Sequence, residues 1–294
     1  MDKKLFGRII TIISAVIWGT SFPVIAWGLN IIDPFTFVLG RFWISTIVLL
    51  PLIFLNEKHR STFLEYLHDK TIMIMGVMNG IAFLLQFIGQ QWTTATKAAI
   101  ITDSNVIFVA IFSAFLLSER ITLKRALGII TALFGIFLII TNGDIYALTG
   151  GTILGDVTVL SAGIIWSFYI ILNKEKTSQN VDITSLMTVI IVWTTITLQL
   201  IHIVYAFTSE IIVLDFYYAL ILIAYTGLFT TIISFFLWLE GLKWLEATTS
   251  TIYLLVGPIV AALISVIFLN EVLTLYIILG GILVGLGIYL VEEK

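Results

Sequence analysis

The chain contains no cysteine and few charged residues. Of its 294 residues 11% are charged and 60% are hydrophobic, and the mean hydropathy is +1.11. The lack of cysteine excludes disulfides, thiolate metal sites and a cysteine nucleophile. Because a soluble domain carries about a quarter charged residues, this composition predicts an integral membrane protein.

Several other features of soluble enzymes are also missing. The three histidines, His59, His68 and His202, do not have the spacing of a metal site. No G-x-x-x-x-G-K-[ST] motif is present, so ATP hydrolysis by this chain is not expected. No cluster of nucleophile, base and metal ligands appears, and the net charge of -3 does not suggest nucleic acid. We therefore expect no cofactor, no metal, no nucleic-acid partner and no enzymatic activity.

Ten apolar runs are long enough to cross a bilayer, which takes roughly 20 residues of helix. The runs are too long for barrel strands and do not alternate. The predicted fold is therefore an all-α polytopic membrane protein with ten transmembrane helices. The predicted spans are 8–29, 34–56, 70–91, 97–117, 123–141, 154–172, 183–206, 216–239, 247–269 and 273–291.

The basic residues favour one orientation of these spans. With the N-terminus in the cytoplasm, thirteen of the fifteen Lys and Arg residues fall in cytoplasmic segments. The external loops then hold only Lys97, and Arg41 lies inside the second span. By the positive-inside rule, both termini are predicted to be cytoplasmic, in a multi-pass protein of the plasma (cytoplasmic) membrane.

The chain matches itself when it is shifted by 152 residues. Trp92 then meets Trp244, and Glu119 meets Glu271, with 18 identities in the 54 positions of 86–139. The repeat unit holds five spans, an odd number, so the second copy must enter the membrane inverted. We predict two repeats, 1–145 and 146–294. Inverted repeats are typical of secondary transporters, whose access alternates as one half rocks against the other.

Three motifs carry a resemblance to a known family. They are "WGTSF" (Trp18–Phe22), "DPFTFVLGRF" (Asp33–Phe42) and the paired segments that end at Glu119 and Glu271. In this order and repeat spacing, they resemble the EamA family of the drug/metabolite transporter superfamily. The resemblance implies export or exchange of small metabolites, often amino acids, with related members handling drugs or nucleotide sugars.

The sequence departs from the family pattern at one position. The family usually has a proline in the middle of both the fourth and the ninth span. Here the ninth span has Gly257-Pro258, but the fourth has Asn105-Val106. The kink that the resemblance implies for the fourth span is therefore in doubt.

Two tryptophans are expected at the middle of the membrane. Trp18 lies roughly 15 Å into the first span, from the rise of 1.5 Å per residue, and Trp166 lies at a similar depth in the sixth. Interfacial aromatics belong at the membrane surfaces, so this pair suggests a cavity wall beside a bend at Gly19 and Pro23. Packing of large rings between helices is the alternative.

Polar residues in the third span follow one helical face, and the repeat places similar residues in the eighth. A polar stripe in a membrane must face protein or water, so it lines either a cavity or a helix contact. We predict a substrate-binding cavity, to which Tyr253 of the ninth span is added. The third span contributes Asn79, Phe83 and Gln86, on a face that continues to Gln90, and the eighth contributes Thr231, Ser234 and Trp238.

Arg41 and Asp103 are ionisable residues that lie well inside the predicted spans. Each lies about two turns from the external face, and a charge at such depth is costly and usually paired. One interpretation is a structural ion pair. The other is that one or both of them contact the substrate or a coupling proton or ion, and we favour this role for Asp103.

Together these features predict a secondary transporter that exports or exchanges small amphipathic metabolites such as amino acids. Its partners are a small-molecule solute and membrane lipids, and it acts as a monomer or homodimer. Aromatic walls also suit organic cations, so a multidrug or organic-cation exporter is the nearest alternative. A channel-like or lipid-handling protein is a further one.

Overall fold

The computed structural model describes residues 2–92, 98, 101–103, 105–117, 122–141, 143–144, 153–179, 181–268 and 274–291. Glu119, Glu271 and Lys97 lie outside these residues, as does the predicted repeat boundary after 145. Within the described residues the structure is helical, and an isolated β-bridge joins Ile32 to Val213. The helices are α1 (Lys3–Gly19), α2 (Ser21–Gly28), α3 (Pro34–Phe54), α4 (Glu57–Leu67), α5 (Lys70–Trp92), α6 (Asn105–Leu116), α7 (Leu123–Thr141), α8 (Ile153–Thr177), α9 (Ile183–Thr208), α10 (Phe216–Tyr225), a π-helical segment (Thr226–Ile233), α11 (Ser234–Leu242), α12 (Ala247–Leu254), α13 (Val256–Phe268) and α14 (Leu275–Val291).

Among the described residues, six helical stretches are long and apolar enough to cross a membrane, and shorter apolar helices accompany them. The prediction of an all-helical, multi-pass membrane protein is therefore confirmed, whereas the count of ten spans stays a prediction. The six stretches are Lys3–Gly28, Pro34–Phe54, Lys70–Trp92, Val157–Thr177, Ile183–Thr208 and Phe216–Leu242.

Two of the apolar stretches are broken in the middle, each three residues before a proline. The first breaks at Thr20, before Pro23, and the other at Leu255, before Pro258. Proline has no N–H and clashes with the preceding turn, so it ends or kinks a helix. The hydroxyl of Thr20 donates to the Ile17 carbonyl at 2.6 Å. Side chains thus satisfy carbonyls at the break, as a membrane requires.

The two sequence halves are interleaved in space. Helix α1 packs along α11, and α5 packs along α8, so each contact joins one half to the other. Glycines allow the close approach in both places. A Cβ atom at Gly7 would lie 3.2 Å from the Gly241 carbonyl oxygen, and one at Gly155 would lie 3.0 Å from that of Gly89. Such small residues let membrane helices pack backbone to backbone.

Helices α7 and α14 form a further close pair. A Cβ atom at Gly287 would meet the Gly128 carbonyl oxygen at 2.6 Å. The same distance separates a Cβ atom at Gly135 from the Gly280 carbonyl oxygen. Because these glycines have no side chain, the two helix backbones can approach each other closely. Open space instead surrounds two other glycines of α14, Gly281 and Gly285.

One end of the helix bundle, here called the basic face, is tied together by lysines. Lys174 Nζ donates to the Leu242 carbonyl oxygen at 3.0 Å, and Lys176 Nζ lies 2.6 Å from Asp69 Oδ2. Burial raises the pKa of Asp69, but the hydrogen bond from Lys176 and those from backbone N–H groups lower it further. The pKa therefore lies below its ordinary value.

A second ion pair joins α4 to the start of α9 at the basic face. His59 Nδ1 lies 2.8 Å from Asp182 Oδ2, and Asp182 also accepts a hydrogen bond from the Ser185 N–H as the N-cap of α9. Burial raises the pKa of Asp182, but hydrogen bonds from Ser185 and His59 lower it more. The net shift is downward, which keeps this carboxylate ionised.

The opposite face is closed by backbone hydrogen bonds between two loops. The N–H of Asp33 donates to the Ile212 carbonyl at 3.0 Å, and that of Leu214 donates to the Ile31 carbonyl at 2.8 Å. Asp33 also caps α3 and accepts a hydrogen bond from the Ile212 N–H. An aspartate that caps a helix thus links two segments distant in sequence at each face, with Asp33 here and Asp182 at the basic face.

Candidate functional site

A cavity of about 120 Å³ lies at the depth of the two helix breaks. Its lining combines aromatic rings with polar groups, and four small or aliphatic residues complete it. The aromatic residues are Trp18, Phe22, Phe83, Trp166, Tyr169, Phe235 and Trp238. The polar residues are Ser21, Arg41, Gln86, Thr102, Asp103 and Asn105, and the remainder are Gly19, Ile170, Leu254 and Gly257.

The structure brings most of the sequence-predicted site residues to this cavity. The four that lie elsewhere sit behind its wall or away from it, as described below. The residues that line it are Trp18, Arg41, Phe83, Gln86, Asp103, Trp166 and Trp238.

Trp18 is fixed at the end of α1 by a hydrogen bond to the eighth predicted span. Its Nε1 donates to the Thr230 carbonyl oxygen at 2.7 Å. Its ring contacts Phe235 and Trp238, with centroids 6.1 Å and 5.9 Å away. Trp18 is thus both anchored and part of the cavity wall.

Trp166 is anchored in the corresponding way on the third predicted span. Its Nε1 donates to Asn79 Oδ1 at 3.3 Å, and Asn79 Nδ2 donates to Thr194 Oγ1 at 3.1 Å. The Trp166 ring meets Phe83 edge-on, with centroids 4.8 Å apart. Asn79 does not line the cavity itself and instead positions the indole that does.

Arg41 is held by the π-helical segment. Its Nε donates to Thr231 Oγ1 at 2.6 Å, and its Nη2 donates to the Thr230 carbonyl at 3.3 Å. The guanidinium carbon lies 4.6 Å from the centroid of the Phe83 ring, in cation–π geometry. Single π-helical turns are frequent at functional sites. This one supplies the Thr230 carbonyl that Arg41 and Trp18 share, and Thr231 serves to hold Arg41.

Several polar groups of the lining have no hydrogen-bond partner among the described residues. Oδ2 of Asp103 and Oγ1 of Thr102 are buried without one. Arg41 and Asp103 are both described, and no ion pair within 4.0 Å joins them. The ion pair considered from the sequence is therefore not formed in this structure.

Ser234 and Tyr253 do not line the cavity. Ser234 Oγ donates to the Ser14 carbonyl at 2.9 Å and lies 2.9 Å from Ser14 Oγ, so it joins α11 to α1. Tyr253 belongs to α12, and its side chain is buried, with 2% of its surface exposed. Because a polar stripe serves helix contacts as well as cavities, periodicity alone did not separate Ser234 from its neighbour Trp238.

Sequence reasoning left several cavity residues out of the predicted site. Tyr169 follows Trp166 by three positions, and Phe235 precedes Trp238 by three, so both share a helical face with a predicted residue. Extending each prediction by one turn would have found them. Asn105 was recognised only as a departure from the family pattern, although it lines the cavity.

The two halves of the site differ where their helices cross. A Cβ atom at Gly19 would lie 2.4 Å from the Gly257 carbonyl oxygen, so these broken helices touch through bare backbone. In the other half, Ser167 Oγ donates to the Asn105 carbonyl at 3.2 Å. Helix α8, which carries Ser167, continues unbroken. One crossing is therefore a contact between helix breaks, and the other is a hydrogen bond to an unbroken helix.

No metal centre is found in the part of the chain that the structure describes. There, no three His, Cys, Asp or Glu side chains are grouped so that they could hold an ion. The cavity lining offers charged, hydrogen-bonding and aromatic groups that can recognise a solute.

Comparison with known proteins gives consistent matches along the chain. The profile of the EamA-like transporter family matches residues 5–141 and again residues 153–292. An uncharacterized transporter of Archaeoglobus fulgidus is 25% identical over 96% of both chains, and a second from the same organism is 29% identical over 97% of this chain and 98% of the other. The uncharacterized transporter YoaV of Bacillus subtilis is 25% identical over 99% of this chain and 97% of its own. A crystal structure with 16% identity covers 97% of each chain with a TM-score of 0.79, which shows a shared fold.

Proposed function

Because the chain belongs to the EamA-like transporter family, we propose that it is a secondary transporter that exports or exchanges small amphipathic metabolites, with amino acids as the favoured class. Family membership and the apolar helices make it a multi-pass membrane transporter rather than an enzyme.

The substrate class rests on one observation. Arg41 and Asp103 line the same cavity and form no ion pair with each other. A buried charge is costly unless a partner neutralises it. A zwitterion offers a carboxylate to Arg41 and an ammonium to Asp103, and the surrounding aromatic rings suit an apolar side chain. A small amino acid has all three parts.

The size of the cavity limits the solute that fits in this conformation. A space of about 120 Å³ is smaller than the engineered cavity of about 150 Å³ that binds benzene in another protein. The smallest amino acids are therefore the natural first candidates, and valine serves as the probe because isobutylamine and isovalerate each lack one of its charged groups.

Alternating access by inverted repeats is the second part of the proposal. The match of the family profile twice along the chain supports two repeats. The paired contacts support their inverted relation, since α1 with α11 and α5 with α8 are equivalent under the repeat. The breaks at Thr20 and Leu255 meet at the cavity, where a hinge would open one side. We propose that these two broken helices move relative to the unbroken α8.

Orientation follows from the basic face. Lysines and arginines of membrane proteins concentrate in cytoplasmic segments, so we propose that the basic face, with Lys174 and Lys176, is cytoplasmic. Both termini would then lie in the cytoplasm, and the protein would span the plasma membrane. The loops joined through Asp33 and Ile212 would lie outside the cell.

Export of organic cations is the second candidate function. Aromatic rings surround the cavity, and Asp103 supplies a carboxylate whose Oδ2 has no hydrogen-bond partner among the described residues, which together would attract a cationic solute. On this hypothesis Arg41 serves only to support the wall. A solute without a carboxylate would then bind as well as an amino acid does.

Counterflow in proteoliposomes separates these hypotheses. Vesicles preloaded with valine are diluted into labelled valine, and saturable accumulation of label identifies a carrier rather than a channel. Competition by isobutylamine, which lacks the carboxylate, and by isovalerate, which lacks the amine, then tests the zwitterion. We expect valine to compete and neither fragment to do so. Competition by the amine alone would favour the organic-cation exporter, and non-saturable flux would contradict a carrier.

A further inference from the structure

A narrow crevice that reaches α9 lies beside the cavity. It shares Arg41, Phe83 and Phe235 with the cavity lining. In this structure the crevice has no room for a water molecule, so it adds nothing to the space that a solute can occupy. Its remaining lining residues come from α3, α5, α9 and the π-helical segment, and they are Phe42, Asn79, Ile191, Thr230 and Thr231.

The Phe83 ring forms part of the wall between the crevice and the cavity. It lines both spaces. Its centroid lies 4.8 Å from that of Trp166, which lines the cavity, and 5.1 Å from that of Phe42, which lines the crevice. The ring therefore stands between a group of each space, and a solute that extends from the cavity into the crevice has to pass it.

Phe235, the other aromatic residue shared by the two spaces, is held on the cavity side. Its ring centroid lies 6.1 Å from that of Trp18, 6.1 Å from that of Tyr169 and 5.5 Å from that of Trp238. All three of these residues line the cavity. Phe235 thus belongs to the aromatic wall of the cavity, whereas the ring of Phe83 contacts residues of both spaces.

The Phe83 ring also lies against the group proposed to bind the carboxylate of the solute. Its centroid is 4.6 Å from the guanidinium carbon of Arg41. A carboxylate on Arg41 therefore places the neighbouring carbon of the solute, and the side chain on that carbon, within reach of the ring. Apolar pockets discriminate by about 10–200-fold for a methylene that does not fit, so an aromatic ring at this position can exclude longer side chains.

We propose that Phe83 determines the size of the transported solute, because its ring closes the crevice to the side chain of a solute bound beside Arg41. Removing the ring would join the crevice to the cavity, and the apolar groups of Ile191 and Phe42 would then receive a longer side chain. This inference rests on the proposed function in placing a solute in the cavity. It goes beyond that function by assigning the upper size limit to one residue.

The test measures size selection in proteoliposomes for the wild type, Phe83→Ala and Phe83→Leu. Competition for valine counterflow is measured with alanine, valine, leucine and phenylalanine, and competition for isobutylamine counterflow with ethylamine, isobutylamine, isoamylamine and phenethylamine. Phe87→Ala is the matched control. Phe87 lies one turn along α5, is fully buried and packs on Phe37 outside the described lining of the cavity. Thermal unfolding of all four proteins is recorded alongside.

We expect the wild type to bind leucine and phenylalanine at least about tenfold more weakly than valine, as for side chains that do not fit an apolar wall. Phe83→Ala should bring the three solutes to within about threefold of one another, with Phe83→Leu between it and the wild type. Each ratio is taken within one protein, so a loss of folded protein cancels. Phe87→Ala should lower the melting temperature and leave the ratios unchanged.

A second substitution tests whether the crevice itself receives the side chain. Ile191 lines the crevice from α9 and is not part of the described cavity lining. In the Phe83→Ala protein, Ile191→Phe refills the crevice from the opposite side, so we expect the wild-type preference for valine to return. If leucine and phenylalanine still competed as well as valine, the gain would come from a wider cavity, which would overturn the crevice as the site of the side chain.

The remaining outcomes separate this inference from the proposed function. Equal ratios in the wild type and both Phe83 variants would overturn the role of Phe83 and leave amino-acid transport intact. Transport of the amine series alone would contradict the amino-acid proposal, and the amine ratios would then decide the role of Phe83 by the same criteria. Transport of neither series would overturn both. If Phe83→Ala does not fold, Phe83→Leu decides, because it keeps an apolar side chain in the wall.

Discussion

Arg41 and Asp103 line one cavity, but their charged groups do not come within 4.0 Å of each other. Arg41 is instead held by Thr231 and by the Thr230 carbonyl. Oδ2 of Asp103 is buried without a hydrogen bond among the described residues. Within the described residues, the guanidinium of Arg41 is thus bonded to the protein itself, whereas Oδ2 of Asp103 has no partner. This arrangement suits a solute that brings a positive charge to Asp103.

The first prediction concerns this pair. Asp103→Asn should stay folded, because it breaks no ion pair, and should lose at least about tenfold in valine counterflow, since the ammonium loses its partner. Arg41→Gln should destabilise the protein, because hydrogen bonds to a charged group contribute about 1.5–3 kcal/mol. Thermal unfolding and counterflow of both variants provide the measurements.

The double variant separates the two hypotheses for these residues. A structural ion pair predicts that Asp103→Asn with Arg41→Gln recovers much of the stability lost in either single variant. Without a direct contact, the two effects should add to within about 0.5 kcal/mol. Full transport by a folded Asp103→Asn protein at every pH would contradict a role for this carboxylate.

The second prediction concerns the anchored tryptophans. Trp18→Phe and Trp166→Phe keep a ring but lose the hydrogen bonds to the Thr230 carbonyl and to Asn79, so we expect slower counterflow with a stability loss of about 1 kcal/mol each. Trp92→Phe is the control, because Trp92 is 43% exposed and lies at a helix end. If Trp92→Phe impaired transport as much as the other two, the tryptophans would not be specific to the cavity.

Hydropathy and the internal repeat predicted much of the cavity from the sequence. The all-helical membrane fold follows from long apolar runs, which a bilayer requires. The depth of Trp18 and Trp166 follows from their distance along their helices. Gln86 and Trp238 are equivalent under the shift of 152 residues, and both line the cavity. The spacing of residues on one helical face and their depth in the membrane are properties of a single helix, so both can be predicted from the sequence.

The remaining features depend on neighbours that no single helix specifies. The π-helical turn of Thr226–Ile233 has the same apolar pattern as an ordinary helix. That the Thr230 carbonyl accepts hydrogen bonds from Arg41 and Trp18 was therefore not predictable from the sequence. Ser234 and Asn79 share a polar face with cavity residues, but their partners are Ser14 and Trp166. Whether a polar side chain meets a cavity or a neighbouring helix is decided by helix packing.

The third prediction concerns pH and the basic face. The pKa of Asp182 is below its ordinary value of 3.8, so its ionised form stabilises the fold above about pH 4, and this stability is lost as the pH falls through the lowered pKa. Asp182→Ala should therefore cost about 0.5–2 kcal/mol near pH 7, where the N-cap and the His59 contact are lost. The difference in melting temperature from the wild type should shrink below about pH 4. Glu57→Ala serves as the control, and a difference independent of pH would contradict the ionised contact.

The fourth prediction is the topology. Since the chain has no cysteine, single cysteines can be labelled without background. Cysteines at Ser61 and Ser178, near the basic face, should react with a membrane-impermeant maleimide only from the cytoplasmic side. One at Ser209 should react from outside. Thr149, where external labelling is also expected, lies outside the described residues. Reaction of Ser61 and Ser178 from opposite sides would contradict the inverted ten-span arrangement.

The last prediction concerns the contact between the two helix breaks. A Cβ atom at Gly19 would lie 2.4 Å from the Gly257 carbonyl oxygen, closer than real Cβ atoms approach. Because the obstacle is backbone, Gly19→Ala must push the two broken helices apart. We expect reduced counterflow together with a lower melting temperature. Gly281→Ala is the matched control, since nothing lies within 4 Å of a Cβ there, and it should leave both quantities unchanged.

The hypothesis that this contact is a hinge predicts more than the hypothesis that it only packs two helices together. If the breaks at Thr20 and Leu255 move during transport, Gly19→Ala should shift the protein toward one conformation, so that a cysteine at Ser21 in the cavity wall becomes more accessible from one side and less from the other. Ser167→Ala removes the hydrogen bond to Asn105 in the unbroken half and should alter stability but not this accessibility. Equal accessibility changes in the two variants would show that both crossings move, which contradicts a hinge confined to the broken helices.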